Sequence, residues 1–281
     1  VVCLTLLFMI KKFMPCMDIS ELPIVQKEYN KALKQVGTLG SGNHFVEIQK
    51  GNDDHIWLMI HSGSRNLGKQ VADHYDKQAI MINEKYFSSI PKIWELAFLP
   101  MDSKEGAVYL KEMSYCIEFA LSNRKLMMER IMESFNEATG CSFEPMINIA
   151  HNYAAWEYHF GKNVIVHRKG ATSAKEGEIG IIPGSQGTSS YIVKGKGNPD
   201  SFNSCSHGAG RKMGRKQAER TLNLEEEIKH LNDKGVIHSI RNITDLDEAA
   251  GAYKDIDTVM EEQKDLVEIL VKLEPLAVIK G

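Results

Sequence analysis

A chain of 281 residues, 43% hydrophobic and 25% charged, can bury one large core or two small ones and is ordinary for a globular protein. Its formal charge of -3 excludes attraction of a nucleic acid by the overall field, so any such partner must meet a local basic patch. Five cysteines at irregular spacing, with no Cys-x-x-Cys pair, argue against a secreted disulfide framework and for a reducing compartment, the cytoplasm.

In chain order, the apolar opening Val1 to Ile10 falls short of the roughly 20 residues a bilayer span needs. Its lysines follow the apolar run instead of preceding it, which does not suit a signal peptide, and a buried strand or ragged start is expected. The initial Val suggests a fragment whose beginning lies upstream. His44 to Gln49 and His55 to Ile60 read as two β segments joined by the polar turn Gly51-Asn-Asp-Asp54. Apolar residues then recur at helical spacing from Asn66 to Tyr86 and from Val108 to Ala138. In the second helix the predicted stripe is Leu110, Met113, Ile117, Leu121, Met128, Ile131 and Phe135, stopped at Gly140. A β-rich stretch runs from Asn163 through Val193, and charged helices are expected from Arg211 onward, the last spanning Asp257 to Lys272 before Pro275. No linker or repeat interrupts this order, so one compact unit is expected.

Two textures carry chemistry. Pro183-Gly-Ser-Gln-Gly-Thr-Ser-Ser190 combines glycines with hydroxyls and so reads either as a phosphate cradle or as a tight β-turn; no lysine follows its second glycine, which excludes a Walker-type loop. His44, His61, His151 and His207 each stand among Gly, Ser, Asn or Ala, the setting of a site edge around a metal ion and a phosphate. His55, His74, His159, His167, His230 and His238 are expected to be ordinary surface or hydrogen-bonded residues. Neutral imidazole suits Mn, Fe, Co, Ni, Cu and Zn alike, so residue type does not select the metal.

Gly37-Thr-Leu-Gly-Ser-Gly-Asn-His-Phe-Val-Glu47, His61-Ser-Gly-Ser-Arg65, His151-Asn-Tyr153, Arg168-Lys-Gly-Ala-Thr172, Pro183 to Tyr191, Ser206 to Arg211 and the terminal Pro275 to Gly281 resemble, in that order, the RtcB family of RNA ligases. The resemblance covers residues 18–281 and leaves 1–17 outside it. It implies an α+β, single-domain fold with mixed β-sheets. It also implies joining of an RNA 3′-phosphate or 2′,3′-cyclic phosphate to a 5′-hydroxyl with GTP and Mn²⁺, in tRNA splicing or RNA repair. The RNA would be tRNA halves or broken ends, and an accessory activator protein is a possible partner.

By the same resemblance His207 is the nucleophile that takes up GMP, and His44, His61 and His151 are metal ligands. Asn43, His44, Phe45, Val46, Glu47, His151, Asn152, Pro183, Gly184, Ser185, Gln186, Ser190, His207, Gly208, Ala209, Gly210 and Lys280 are similar to the family's guanylate-contacting positions. Arg65, Lys169 and Arg211 are candidates for holding phosphates, although Arg168-Lys169 and Arg211 to Lys216 read equally as solvated charges. The family's Asp-Ile-Gly-Cys-Gly-Met segment, which completes its metal site, has no counterpart here, and Cys16 lacks the neighbouring glycines needed to take that role. A catalytically silent nucleotide- and RNA-binding homologue is therefore the alternative, with a metal-dependent phosphatase or nuclease ranked last for want of carboxylates.

Overall fold

Antiparallel pairing around a late strand organises the part of the protein that carries the histidines. The computed structural model describes residues 10–280; the expectation for Val1 to Met9 lies outside them. The described chain falls into two compact units, one of residues up to Thr38 with Ser62–Phe143 and one of Leu39–His61 with residues from Glu144 onward.

The first unit is helical: α1 Pro23–Ala32, α2 Arg65–Lys85 and α3 Lys104–Thr139. Pro23 suits the first turn of α1, where its missing N–H costs nothing. Leu22 offers no side-chain cap, so a carboxylate from α3 does that work: Glu112 Oε1 accepts from Ile24 N and Val25 N at 2.7 and 2.9 Å. Helix α3 starts at a Ser103 cap, one turn before the predicted Val108, and stops at Gly140 as the sequence indicates. Its buried face differs from the predicted stripe. Glu112, Tyr115, Cys116, Phe119, Asn123 and Leu126 face the core, and of the predicted residues only Met128 is buried. Two polar residues on that face mislead an apolar count: Glu112 caps α1, and Asn123 Oδ1 accepts from Gly37 N and Thr38 N at 2.7 and 3.1 Å.

The second unit holds a five-stranded sheet in the order β2-β1-β9-β7-β6, formed by β1 Phe45–Gly51, β2 Ile56–His61, β6 Ile179–Ile182, β7 Ser190–Gly195 and β9 Val267–Lys280. Two separate ribbons pair β3 Asn152–His159 with β4 Lys162–Lys169 and β5 Ala171–Ser173 with β8 Ser204–Ser206. Short helices α4 Arg215–Thr221, α5 Leu224–Asp233 and α6 Ile256–Glu261 complete it. The class is α+β, as expected. The strand pairings within these sheets are antiparallel, and a parallel relation occurs only as the bridge Ile237–Ala277 among the described residues. No helix among them is long and apolar enough to cross a membrane, and the described cysteines are free thiols.

The predicted helix Asp257 to Lys272 is wrong. Helix α6 ends at Glu261, and Val267–Lys280 is the central strand of the sheet. Val267, Ile269, Val271 and Leu273 alternate with Glu268, Leu270 and Lys272, a period-two pattern that neighbours on both sides enforce. Pro275 is tolerated because the pairing with β1 slips there, Ile48 facing Ala277 and Gln49 facing Pro275. The carbonyl of the skipped Leu276 accepts instead from Ile237 N at 2.9 Å.

Candidate functional site

Strand register assembles the four singled-out histidines. Phe45 faces His61 across β1 and β2, so His44, one residue before β1, lies beside the last residue of β2; the two rings are 6.1 Å apart. The other pair meets around Gly170. Asn152 faces Lys169 in one ribbon and Ala171 faces Ser206 in the other, so His151 and His207 flank the single residue linking β4 to β5. Gly170 makes this link at φ +70°, a backbone that other residues rarely adopt. The His151 and His207 rings stack at 4.6 Å and 18°, and His61 lies 5.2 and 6.2 Å from them.

One ligand atom from each of His61, His151 and His207 lies within 4.8 Å of the others, a donor set that fits a divalent transition metal. This set includes His207 and not His44, which stands one ring further out beside His61. Burial holds the His207 imidazole below its ordinary value, and a backbone hydrogen bond with Gly170 pulls the other way. Its Nδ1 faces Gly170. The ring is thus neutral near pH 7 and keeps a nitrogen lone pair, as a nucleophile or a ligand requires.

Hydrogen-bonded polar side chains occupy the strands that carry His44 and His61 and their neighbours. Gln49 Nε2 donates to Glu47 Oε2 at 2.6 Å and to Ser190 Oγ at 3.1 Å, and Gly184 N donates to Ser190 Oγ at 3.1 Å. Lys280 faces Phe45 across β1 and β9 and donates to Gly42 O at 2.9 Å. Burial lowers the Lys280 ammonium, against the pull of Glu248, Asp247 and Glu47. Phe45 meets the His61 ring edge-on at 5.4 Å; Val46 is buried, while Asn43 and Asn152 are exposed.

The loop from Pro183 to Ser190 turns part of its chemistry inward. Thr188 Oγ1 accepts from Ser185 N at 2.6 Å, and Ser190 takes Gly184 N, so those two amides already have partners. Gly208 sits so close to the Pro183 carbonyl that a Cβ there would approach it to 3.1 Å, which puts the loop against the His207-Gly208-Ala209-Gly210 segment. Gln186 Oε1 and Gln49 Oε1 are buried without a hydrogen-bond partner, and a ligand carrying N–H groups would satisfy such acceptors. A Gly184→Ala methyl would be driven into the Ser189 carbonyl and Thr188. That substitution is expected to displace the loop and to cost about 1–3 kcal/mol of stability in denaturant melts, the usual penalty of overpacking.

Burial pushes the Glu47 carboxyl up to about 8 from an ordinary 4.5, opposed by Gln49 and Lys280. A carboxyl that holds its proton more tightly when folded contributes stability in full below pH 4.5 and loses it as pH rises toward 8. Glu47→Gln is expected to flatten this fall, at most roughly 1.4 kcal/mol per pH unit, in melts taken across that window.

Sequence reasoning does not single out Gln49, Gly170, Arg215, Glu248 or Tyr253. Gln49 is legible as the residue two along from Glu47 on the same strand face. Nothing in sequence marks Glu248, whose buried carboxylate accepts from Arg211 Nη1 at 2.8 Å, from Arg215 Nε at 2.7 Å and from the Tyr253 hydroxyl. Arg211 also donates to Met213 O and Asp247 O, so its guanidinium braces this network. Arg168 is likewise structural, buried against Glu157. Lys169 is exposed at one end of the β3–β4 ribbon, and Arg65 opens α2 in the helical unit. Of the histidines expected to lie elsewhere, His55 pairs with Asp53 and His159 with Glu157.

Gathered imidazoles beside glycine-rich turns make a site that could hold a transition metal, and comparison gives the family. The family model described as tRNA-splicing ligase RtcB matches residues 13–281, and the chain belongs to that family. It is 39% identical over 255 residues to an RNA-splicing ligase RtcB of Escherichia coli (strain K12), covering 88% of this chain and 62% of that protein. It is 37% identical over 289 residues to a tRNA-splicing ligase RtcB of Nanoarchaeum equitans (strain Kin4-M), covering 88% and 60%. A third relative, the tRNA-splicing ligase RtcB of Thermococcus kodakarensis, is 33% identical over 301 residues, covering 92% and 62%. The chain therefore spans about three-fifths of the length of these relatives.

Proposed function

We propose that this protein is a GTP- and Mn²⁺-dependent RNA ligase that joins 3′-phosphate or 2′,3′-cyclic phosphate ends to 5′-hydroxyl ends, with tRNA halves or broken RNA as substrates. Cytoplasmic action and an accessory activator protein belong to the same reading. The observation that carries it is His207: a neutral imidazole, stacked on His151 and near His61, beside the Pro183 loop.

The chemistry follows from what a phosphate monoester lacks, namely a stable leaving group. The His207 nitrogen turned away from Gly170 attacks the α-phosphorus of GTP; a P–N bond forms, the bond to the β-phosphate bridging oxygen breaks, and pyrophosphate leaves. An oxygen of the RNA 3′-phosphate displaces His207, giving an anhydride with GMP, and a cyclic phosphate is first opened by water to present that oxygen. The 5′-hydroxyl then attacks the RNA phosphorus, loses its proton and expels GMP, leaving a phosphodiester. A divalent metal held by His44, His61 and His151 would supply neutralisation of phosphoryl charge. Glu47, Gln186, Ser190 and Lys280 are proposed to receive the guanine edge, the unpartnered Gln186 oxygen suiting its N–H groups.

A second reading is favoured by one observation, the membership of His207 in the closest imidazole set. His207 would then be a ligand and the protein a silent nucleotide-binding homologue. Incubation with GTP labelled at the α-phosphate and Mn²⁺ separates the two. The ligase acquires a protein-bound label stable to alkali and lost in acid, as a phosphoramidate is; binding seen by calorimetry without any label would establish the silent reading.

A further inference from the structure

The ribbon leading away from Gly170 has an outer face that folding does not explain. Among the described residues β3 and β4 pair only with each other, so alternation turns one side toward the protein and the other to solvent. Glu157, Val166 and Arg168 occupy the inner side. On the outer side Trp156 is 63% and Tyr158 70% exposed, and His167 and Lys169 lie on the same side of the partner strand, opposite Ala154 and Asn152. No carboxylate occupies this side, since Glu157, the one acid in β3 and β4, points inward. The face starts at His151 and Gly170 and runs outward for eight residues, about 26 Å at strand spacing.

We infer that the outer face of the β3–β4 ribbon is a docking track for a single-stranded RNA end, with bases stacked on Trp156 and Tyr158 and phosphates beside Lys169 and His167. The identity of the ligand rests on the ligase reading. Two rings two residues apart on one strand face stand about 7 Å from each other, and sheet-borne aromatic rings stack unpaired bases without regard to sequence. Lys169, at the histidine end, supplies the cation a phosphate backbone needs and that the net charge of -3 does not. A second copy docking face to face would set Lys169 and His167 against the same uncompensated surface. Continuity with the histidine cluster gives the track its direction, the RNA terminus lying at His151 and the rest of the strand running toward Phe160.

The test uses the whole chain and a short fluorescein-labelled single-stranded RNA ending in a 3′-phosphate. Trp156→Ala and Tyr158→Ala are each expected to weaken binding about 10-fold by anisotropy, the usual consequence of removing one stacked ring. RNA is also expected to quench the intrinsic fluorescence of the wild-type chain, and that quench to vanish in Trp156→Phe, a conservative variant that reads the contact even where an alanine variant fails to fold. Unchanged affinity in folded alanine variants, or a quench that survives Trp156→Phe, overturns the inference. So does a wild-type dimer that the alanine variants dissociate without loss of RNA affinity. Labelling of the wild-type protein by GTP reports on the ligase reading separately: ring-dependent RNA binding without labelling retains the track and rejects the ligase.

Discussion

Replacing His207 with alanine is expected to reduce covalent guanylate to background while the protein still folds and binds Mn²⁺. The residue is half-buried among Ser206, Gly208 and Ala209, so its removal opens no large cavity, and loss of a nucleophile commonly costs on the order of 10⁴-fold or more in rate. His61→Ala is the control. It is expected to lower Mn²⁺ affinity at least about 10–100-fold, the loss that even a group orienting a ligand brings, and to lower labelling only through that loss. Titration of both variants with Mn²⁺, read by electron paramagnetic resonance, checks the assignment. If His207→Ala loses the metal as His61→Ala does, His207 is a ligand, and the silent reading takes the place of the ligase.

Glu157→Ala is expected to be among the most destabilising single substitutions, costing about 3–5 kcal/mol in denaturant melts. Arg168 is 2% exposed, and its guanidinium donates to both Glu157 oxygens at 2.6 and 3.0 Å, to Ser204 Oγ at 3.0 Å and to Phe202 O at 2.9 Å. Without the carboxylate a cation is left in the interior. The effect should reach the histidines, because Arg168 lies two residues before Gly170 and binds Ser204 of β8, which ends one residue before His207. Replacing both partners by leucine and methionine removes the stranded charge and is expected to restore much of the loss.

The same pair sets an acid limit. Burial opposes ionisation of Glu157, but hydrogen bonds from Arg168 and His159 override it and bring the carboxyl to about 2 from an ordinary 4.5. A carboxyl depressed in this way contributes fully above pH 4.5, and the contribution drains away as pH falls from 4.5 toward 2. Acid melts of Glu157→Gln should lack that slope.

The hairpin of β1 and β2 is legible in the sequence because its turn is polar and its flanks are rich in β-branched and aromatic residues, and the gathering of His44, His61, His151 and His207 because small flexible neighbours are rare around core residues. The stretch after Glu261 is not. Val267 to Leu273 satisfies helical and extended spacing about equally, and only partners on both sides, 70 and more residues back in β1 and β7, decide for the strand. The Glu248 network is hidden for a related reason: a lone acid acquires meaning only when Arg211, Arg215 and Tyr253 arrive around it. Lys280 is reached only through its motif, because the first part of the strand that delivers it, residues 267–272, reads as the end of a helix.

That strand has a consequence for how the protein comes into being. The hairpin carrying His44 and His61 and the hairpin bordering the glycine-rich loop do not touch edge to edge; residues 267–280 are the seam between them. During synthesis both hairpins therefore leave the ribosome with an exposed strand edge before their shared partner has been made. Until that partner emerges, neither half can hold its share of the reactive groups in register, so translation stopped before Val267 would leave an aggregation-prone product instead of a weakened one.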